Sequence, residues 1–426
     1  VTERKPAVRL GGMNSPLPDV ATRLTDAHRH ETLFSARALH IKQSAVRNIF
    51  DISMRPGLIS LAGGNPFLQT LPMDGLGDIA RDLIVEHGAT ALQYGSGQGT
   101  EELRRAICTV MAEESITDAV PENVVVTAGA QSALDACTRV FCDPGDVVLT
   151  EDPTYVGALN TFEAYEVDVR PVDSDEHGLL PDALEAAIAA VTAEGKRVKF
   201  LYTIPSFANP SGAVLAADRR QRVVDVCRAA NVLVVEDNPY GMLAFDGEPA
   251  RPLRADNPDD VVYLGTFSKI FAPGLRLGWL LAPAHLKRRL YLANECVILC
   301  PPAFNQMLAV EYLHRFDWIA QVRSYREVYR KRAEAMVAAL EAAMPDGVQW
   351  TTPTGGFFVW LTLPGQLDAE ALLAPAIEAG VVFVPGSAFT AADGPSASLR
   401  LSFSAVEEDA IAEGVQRLAE VIRAAL

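Results

Sequence analysis

Between residues 121 and 283, short runs that are almost wholly apolar alternate with stretches of helical pattern. The runs are NVVVT 123–127, DVVLT 146–150, EVDVR 166–170, VKFLYTI 198–204, VLVVE 232–236, VVYLG 261–265 and LGWLLA 277–282. A strand with one face in water alternates apolar and polar residues; most of these do not, so both of their faces must be covered. The intervening helical patterns at 129–141, 181–194 and 216–229 supply the cover. The reading is an α/β fold with a mostly parallel seven-stranded sheet. Ligands of such a sheet bind at the carboxyl ends of its strands.

Around this block the pattern changes. Residues 1–59 are irregular apart from a helix expected at 41–54, which stops at Pro56-Gly57, and LISLAGGNPF 58–67 reads as a strand entering a glycine-rich turn. Helices fit 74–87 and 99–114. Pro301-Pro302 marks a boundary, followed by helices at 303–315 and about 319–344. Strands are expected at 356–363, 381–386 and 398–403, then a last helix at about 406–423. The expected organisation is an N-terminal segment (1–59), a large α/β domain (60–302) and a small α+β domain (303–426).

Charge narrows the function. Thirty-seven Lys and Arg against 54 Asp and Glu give −17, a poor surface for nucleic acid or anionic membrane, though a local basic pocket for a small anion remains open. No run of about 18 apolar residues spans a bilayer. The first residues lack the layout of a secretory signal. Six cysteines, Cys108, Cys137, Cys142, Cys227, Cys296 and Cys300, form no metal-binding spacing and read as free thiols in a reducing cytoplasm.

Three segments carry chemistry. Of the seven lysines, Lys269 alone follows a buried strand, in YLGTFSKIFAPGLRLGW; an amine kept there is desolvated, with a lowered pKa, and suited to forming a Schiff base. In VLVVEDNPYG 232–241, Glu236 and Asp237 end an apolar strand. A buried carboxylate costs several kcal/mol unless a cation meets it, and a protonated pyridine nitrogen would do so; a turn or helix-cap role is the alternative. TAGAQSA 127–133 follows a strand and opens a helix. Its free N–H groups suit a phosphate, without being a dinucleotide or Walker fingerprint, and a structural turn is the alternative.

Taken in order, LAGGNP, QYGSGQGTEELR, TAGAQSALD, EDPTY, IPSFANPSG, EDNPY, GTFSKIFAPGLRLGW and LRLSF resemble the pyridoxal-phosphate-dependent aminotransferases of fold type I, class I/II. Within them the chain is most similar to the 2-aminoadipate, kynurenine and multi-substrate aromatic enzymes. The resemblance runs from about 45 to 420. It implies that Lys269 is the Schiff-base lysine and proton carrier, and that Asp237 pairs with the pyridine nitrogen. Asn209 and Tyr240 would bond the phenolic oxygen, and Tyr155 would stack on the ring. The phosphate would be held by the Gly129, Ala130 and Gln131 loop with Thr266, Ser268 and Arg276, and by Tyr94 from the second chain of a homodimer. Arg400 would clamp the substrate carboxylate, aided by Asn209 and Gly64. An arginine fork suits both anions better than a lysine would.

The implied reaction is transfer of an amino group from an aromatic, aliphatic or 2-aminoadipate donor to a 2-oxo acid, 2-oxoglutarate foremost. Two other readings stand beside it: a decarboxylase, β-lyase or racemase on the same cofactor, and a ligand-sensing module of the kind fused to DNA-binding domains in certain bacterial regulators. The short stretch before residue 45 and the charge of −17 weigh against the latter. Three departures from the family pattern concern the site. Ala130 stands where a serine is common, Asn65 follows Gly64 where leucine is expected, and the substrate lid before residue 45 resembles the subgroup loosely. In that lid Arg23, Arg37, His30 and His40, with Phe34, Leu39 and Ile41, are the residues available to read a side chain.

Overall fold

The computed structural model describes residues 30, 33–35, 37–38, 49, 52 and 55–426, apart from 249, 366 and 393. The chain divides into two units, Val1–Ile41 and Lys42–Leu426. In the first, the Leu33 N–H closes a turn on the His30 carbonyl at 2.9 Å, and Ser35 Oγ accepts the Ala38 N–H at 3.2 Å. All else concerns the second.

Its strands, in chain order, begin with β1 (Ile59–Ser60), β2 (Val124–Thr127), β3 (Val147–Asp152), β4 (Asp168–Asp175), β5 (Gly178–Leu179), β6 (Val198–Thr203), β7 (Leu233–Asp237), β8 (Val261–Thr266) and β9 (Gly278–Leu281). After them come β10 (Gln349–Trp350), β11 (Phe358–Thr362), β12 (Val381–Val382), β13 (Val384–Pro385) and β14 (Ser398–Ser402). The large sheet has the order β2-β9-β8-β7-β6-β3-β4-β5. Neighbours from β8 through β4 are parallel, and β9 and β5 run against their neighbours. All seven expected strands are present. The eighth, β5, is two residues long, too short to leave a pattern in sequence.

Covering both faces works residue by residue, because successive side chains on a strand point to opposite sides. Val148, Phe200, Tyr202 and Val235 enter one apolar cluster, whereas Val147, Leu149, Leu201 and Val234 enter another across the sheet. A third cluster runs from the far end of the sheet, through Val126 and Trp279, into the C-terminal elements at Tyr329, Phe403 and Leu418.

The second sheet has the order β10-β11-β14-β13 and is antiparallel throughout. The early strand β1 pairs in parallel with β12, Ile59 opposite Val381, so the glycine-rich turn after it is anchored among C-terminal elements. The helix expected at 41–54 lies mostly outside the described residues; Ile49 and Ile52 within it are helical. Among the described residues three helices of nine residues or more escaped the sequence reading, Val156–Ala164, Ala284–Ile298 and Ala369–Glu378, as did the single turn of helix Leu253–Asp256. The first is short and holds a glycine, and the third contains Pro375 in its interior. Among the described residues no single helix is long and apolar enough to cross a membrane.

Candidate active site

The carboxyl ends of β7 and β8, the start of the helix Ala130–Phe141 and the central strand β14 enclose a cavity of about 570 Å³. Its wall includes Gly64, Ala130, Gln131, Tyr155, Asn209, Asp237, Tyr240, Thr266, Ser268, Lys269, Arg276 and Arg400. Segments more than 300 residues apart in sequence thus meet at one place, where the fold class puts its ligands.

Strand alternation splits the acidic pair. Glu236 turns away from the cavity, and its two oxygens accept the backbone N–H groups of Leu253 and Arg254, each at 2.9 Å. It is the helix cap that the sequence left open. Asp237 turns into the cavity. Tyr202 donates its hydroxyl to Oδ2 at 2.8 Å, and Oδ1 is buried with no partner among the described residues. Burial raises the Asp237 carboxyl to about 6, with the Tyr202 hydrogen bond opposing the rise. An unmet acid oxygen in such a place suits a cationic N–H donor.

Beyond β8 the chain turns so that Thr266 Oγ1 lies 2.9 Å from Ser268 Oγ and accepts the Ser268 N–H at 3.1 Å. This turn holds the next residue, Lys269, over the cavity, where Nζ donates to the Gly64 carbonyl at 2.8 Å. The ammonium stands 5.5 Å from the Phe357 ring centre and 6.0 Å from that of Tyr240. Burial first, then Arg400 and Arg276, lowers the amine to about 8. At pH 7 about a tenth of it is therefore the free base that a nucleophilic lysine requires, far more than an ordinary lysine offers.

Opposite this turn the helix Ala130–Phe141 begins at Gly129, whose φ is +89°. Its first bonds run from Ser132 and Ala133 back to the Gly129 carbonyl, which leaves the N–H groups of Ala130 and Gln131 free of the helix ladder. A Cβ on Gly129 would sit 2.5 Å from an Arg276 guanidinium nitrogen, and one on Gly278 would sit 2.7 Å from the Ala130 nitrogen. The two glycines let helix, arginine and sheet close around an anion-sized space. Arg276, in the left-handed region at φ 50°, faces it from the rim while donating to the Ala128 and Pro273 carbonyls. The Gln131 amide donates to Gly157 O at 2.9 Å and to Thr161 Oγ1 at 2.6 Å. It is the Gln131 backbone, then, and not its side chain, that is open to an anion here.

Arg400 closes the other end. It is 3% exposed on the central strand of the small sheet, with its guanidinium 4.2 Å from the Phe358 ring centre and 4.9 Å from that of Phe389. It donates to Asn209 Oδ1 at 2.7 Å and to the Ala62 carbonyl at 2.6 Å. Its Nε has no partner among the described residues, and burial lowers its pKa to about 10. An arginine this dry and part-bonded is poised for a carboxylate. Tyr240 is buried beside it, its hydroxyl pushed up by burial and bonded to Asn209, and Tyr155 caps the helix Val156–Ala164 at the cavity wall.

Tyr94 is the exception: it is 78% exposed and not part of this wall. Arg23, His40, Leu39 and Ile41 lie outside the described residues, while Phe34 and Arg37 belong to the first unit. The sequence reading missed Tyr202, Leu134, Asn160, Ile204 and Phe358, all at or behind the wall. Only Tyr202 left a signal, a phenol at the end of a buried strand, which must place its hydroxyl somewhere.

A cationic ring nitrogen, a phenolic oxygen, an aldehyde and a phosphate are the functional groups of pyridoxal 5′-phosphate. The unmet Asp237 oxygen, the Asn209–Tyr240 pair, the lowered lysine and the glycine-lined anion space fit them in turn. Comparison with known proteins agrees. The family model "Aminotransferase class I and II" matches residues 58–418. The chain is 41% identical over 395 residues to an aromatic-amino-acid aminotransferase of Thermococcus litoralis, covering 92% of this chain and 95% of that one. It is 36% identical over 398 residues to a 2-aminoadipate transaminase of Thermus thermophilus, covering 92% and 97%. The crystal structure of a Pyrococcus horikoshii kynurenine aminotransferase in complex with PMP superposes with a TM-score of 0.89 at 38% identity, covering 94% of this chain and 99% of that one. The chain belongs to the class I and II aminotransferases, pyridoxal-phosphate-dependent enzymes that move amino groups between amino acids and 2-oxo acids.

Proposed function

We propose that this enzyme takes aromatic, aliphatic and 2-aminoadipate donors and passes their amino group to a 2-oxo acid, 2-oxoglutarate foremost. The observation that carries this reading is the distance in kind between the two ends of the cavity. One end is a single buried arginine, Arg400, which can read only the α-carboxylate that every donor shares. The rest of the wall includes apolar groups (Leu134, Val156, Ile204) and amides (Asn65, Asn160), a mixture that commits to no one side chain. The names of the relatives, aromatic-amino-acid aminotransferase and 2-aminoadipate transaminase, support the aromatic and 2-aminoadipate parts of that range.

When bound, the cofactor supplies an electron sink beside the donor's Cα. The protein does the rest. Lys269 Nζ, a base of lowered pKa, would take up and return the proton of the donor's Cα. Asp237 would hold the ring nitrogen in its protonated form, Asn209 and Tyr240 would hold the phenolic oxygen, and Tyr155 would support the ring. The N–H groups of Ala130 and Gln131, the Thr266 and Ser268 hydroxyls and Arg276 bind the phosphate, with Gly129 giving them room. Arg400 and Asn209 fix the donor carboxylate, and the backbone at Gly64 closes over it.

We propose a cytoplasmic homodimer in which Tyr94 of the second chain completes the phosphate site. Tyr94 is exposed, as are Leu92, Val297 and Leu299, and a Cβ on Gly97 would stand 2.9 Å from the Leu299 carbonyl, so the chain just after Tyr94 meets the chain at Leu299. The division into 1–59, 60–302 and 303–426 belongs to the same proposal. It is supported by the two sheets, which draw their strands from opposite sides of Pro301-Pro302, and by the β1–β12 pairing.

A panel of the common amino acids against 2-oxoglutarate tests the donor range. Turnover with phenylalanine, leucine and 2-aminoadipate within about a hundredfold of one another is expected, since a pocket that merely accommodates discriminates by only a few kcal/mol. Activity confined to a single donor contradicts the breadth. Release of carbon dioxide or ammonia in place of a 2-oxo acid contradicts the reaction.

A further inference from the structure

Asp237 is fixed by a residue one strand away. In the parallel pairing of β6 and β7, Tyr202 stands opposite Val235, so Asp237, two residues on, projects from the same face. Tyr202 is fully buried among Cys137, Leu134, Phe162 and Val235, its ring edge-on to Phe162 with centres 5.9 Å apart. Nothing in that apolar setting calls for a hydroxyl; phenylalanine would fill it. Yet the hydroxyl is there, and it donates to Asp237 Oδ2 at 2.8 Å.

Other groups do not share this task. Tyr155 before its helix, Tyr240 after β7 and Cys137 on the helix Ala130–Phe141 each feel the Asp237 charge. Among the described residues, the Tyr202 hydrogen bond is what eases the carboxyl back toward its ionised form. With Oδ2 held, turning the carboxylate costs that bond, and Oδ1 is left buried and without a partner among the described residues, on a residue of the cavity wall.

We infer that Tyr202 is a positioning residue for the cofactor's ring nitrogen: its hydroxyl locks the Asp237 carboxylate so that Oδ1 meets the ring N–H. This rests on the proposed role of Asp237. A hydrogen bond to a charged group typically contributes about tenfold or more in an equilibrium.

The test is Tyr202→Phe, which keeps the ring and its packing and removes only the hydroxyl. Binding of pyridoxal phosphate to the apoenzyme, followed by fluorescence, should weaken about tenfold. Without the Tyr202 donor the proton shared with Asp237 shifts toward the carboxylate and the ring becomes less positive. The acid form of the bound cofactor should therefore persist to higher pH, moving the midpoint of its visible band up by about one unit. Turnover should fall about tenfold with the donor KM within about twofold. In an Asp237→Asn background the same change should add little, because its effect passes through the carboxylate. Unchanged affinity and an unchanged midpoint would overturn the inference. So would full additivity with Asp237→Asn, or a loss of melting temperature shared by apo and loaded enzyme as the only effect. Affinity and midpoint are read without an amino donor, so they decide the role of Tyr202 even if the wild type transfers no amino group, an outcome that would count against the donor reading instead.

Discussion

Glu236 and Asp237 are neighbours at the end of one strand, both buried and both carboxylates, and they have opposite fates. Glu236 has each oxygen met by a backbone N–H at the start of the helix Leu253–Asp256. Asp237, on the cavity wall, has one oxygen met and the other buried with no partner among the described residues. Burial alone does not mark a functional acid. The mark is an acid that the protein has declined to satisfy fully, where the missing partner can arrive with a ligand.

The largest effect that would break this comparison comes from Asp237→Asn, nearly isosteric and uncharged. Turnover should fall on the order of a thousandfold, while the apoenzyme should melt at the same temperature or higher, since the cost of a buried, half-paired charge has gone. Near-normal turnover, or a clearly destabilised apoenzyme, would place Asp237 with Glu236 as a structural acid.

Glu236→Gln is the mirror experiment. The amide must turn an NH₂ toward a backbone N–H, and the folded state should lose about 2 kcal/mol. Below its lowered melting temperature, cofactor affinity and turnover should stay within about threefold of wild type. A selective loss of cofactor binding would erase the distinction between the two faces.

The smallest effect is a pH slope. The Asp237 carboxyl is raised to about 6 and the Glu236 carboxyl to about 7, both by burial. A raised carboxyl keeps its proton in the folded state after the unfolded chain has released it. Each group thus subtracts stability progressively as pH climbs from near 4 to its folded value, and no more above it. A ring cation on Asp237 lowers that carboxyl again, whereas nothing in the cavity reaches Glu236. The apoenzyme should therefore lose stability between pH 4 and 6 more steeply than the loaded enzyme, by about one carboxylate's share. Parallel slopes in calorimetry would say that the ring does not meet Asp237.

Much of this was legible in sequence because burial on both faces writes itself as largely apolar runs, and seven of the eight strands of the large sheet could be read from them. Lys269 was legible for the same reason: it is the lysine that follows such a run. The acidic pair was legible only as a pair. Which member faces the cavity depends on the strand phase at residue 237, and the partner of Glu236 is a helix start 17 residues later, which no local pattern announces. Tyr202 escaped for a related reason, since a bond between adjacent strands needs their register. Gln131 shows the limit from the other side: the residue was found, yet its amide is engaged with Gly157 and Thr161, and only its backbone remains for an anion.

The central claim is that Lys269 and Asp237 serve one cofactor in a two-stage transfer, and a half-reaction tests it most directly. Purified loaded enzyme is mixed with an amino donor and no acceptor. The account predicts a bleached visible band, about one 2-oxo acid released per chain, and recovery of the band when 2-oxoglutarate is added, with Lys269→Ala showing none of these. Continued 2-oxo acid release without any acceptor, or ordinary turnover by Lys269→Ala, would contradict it.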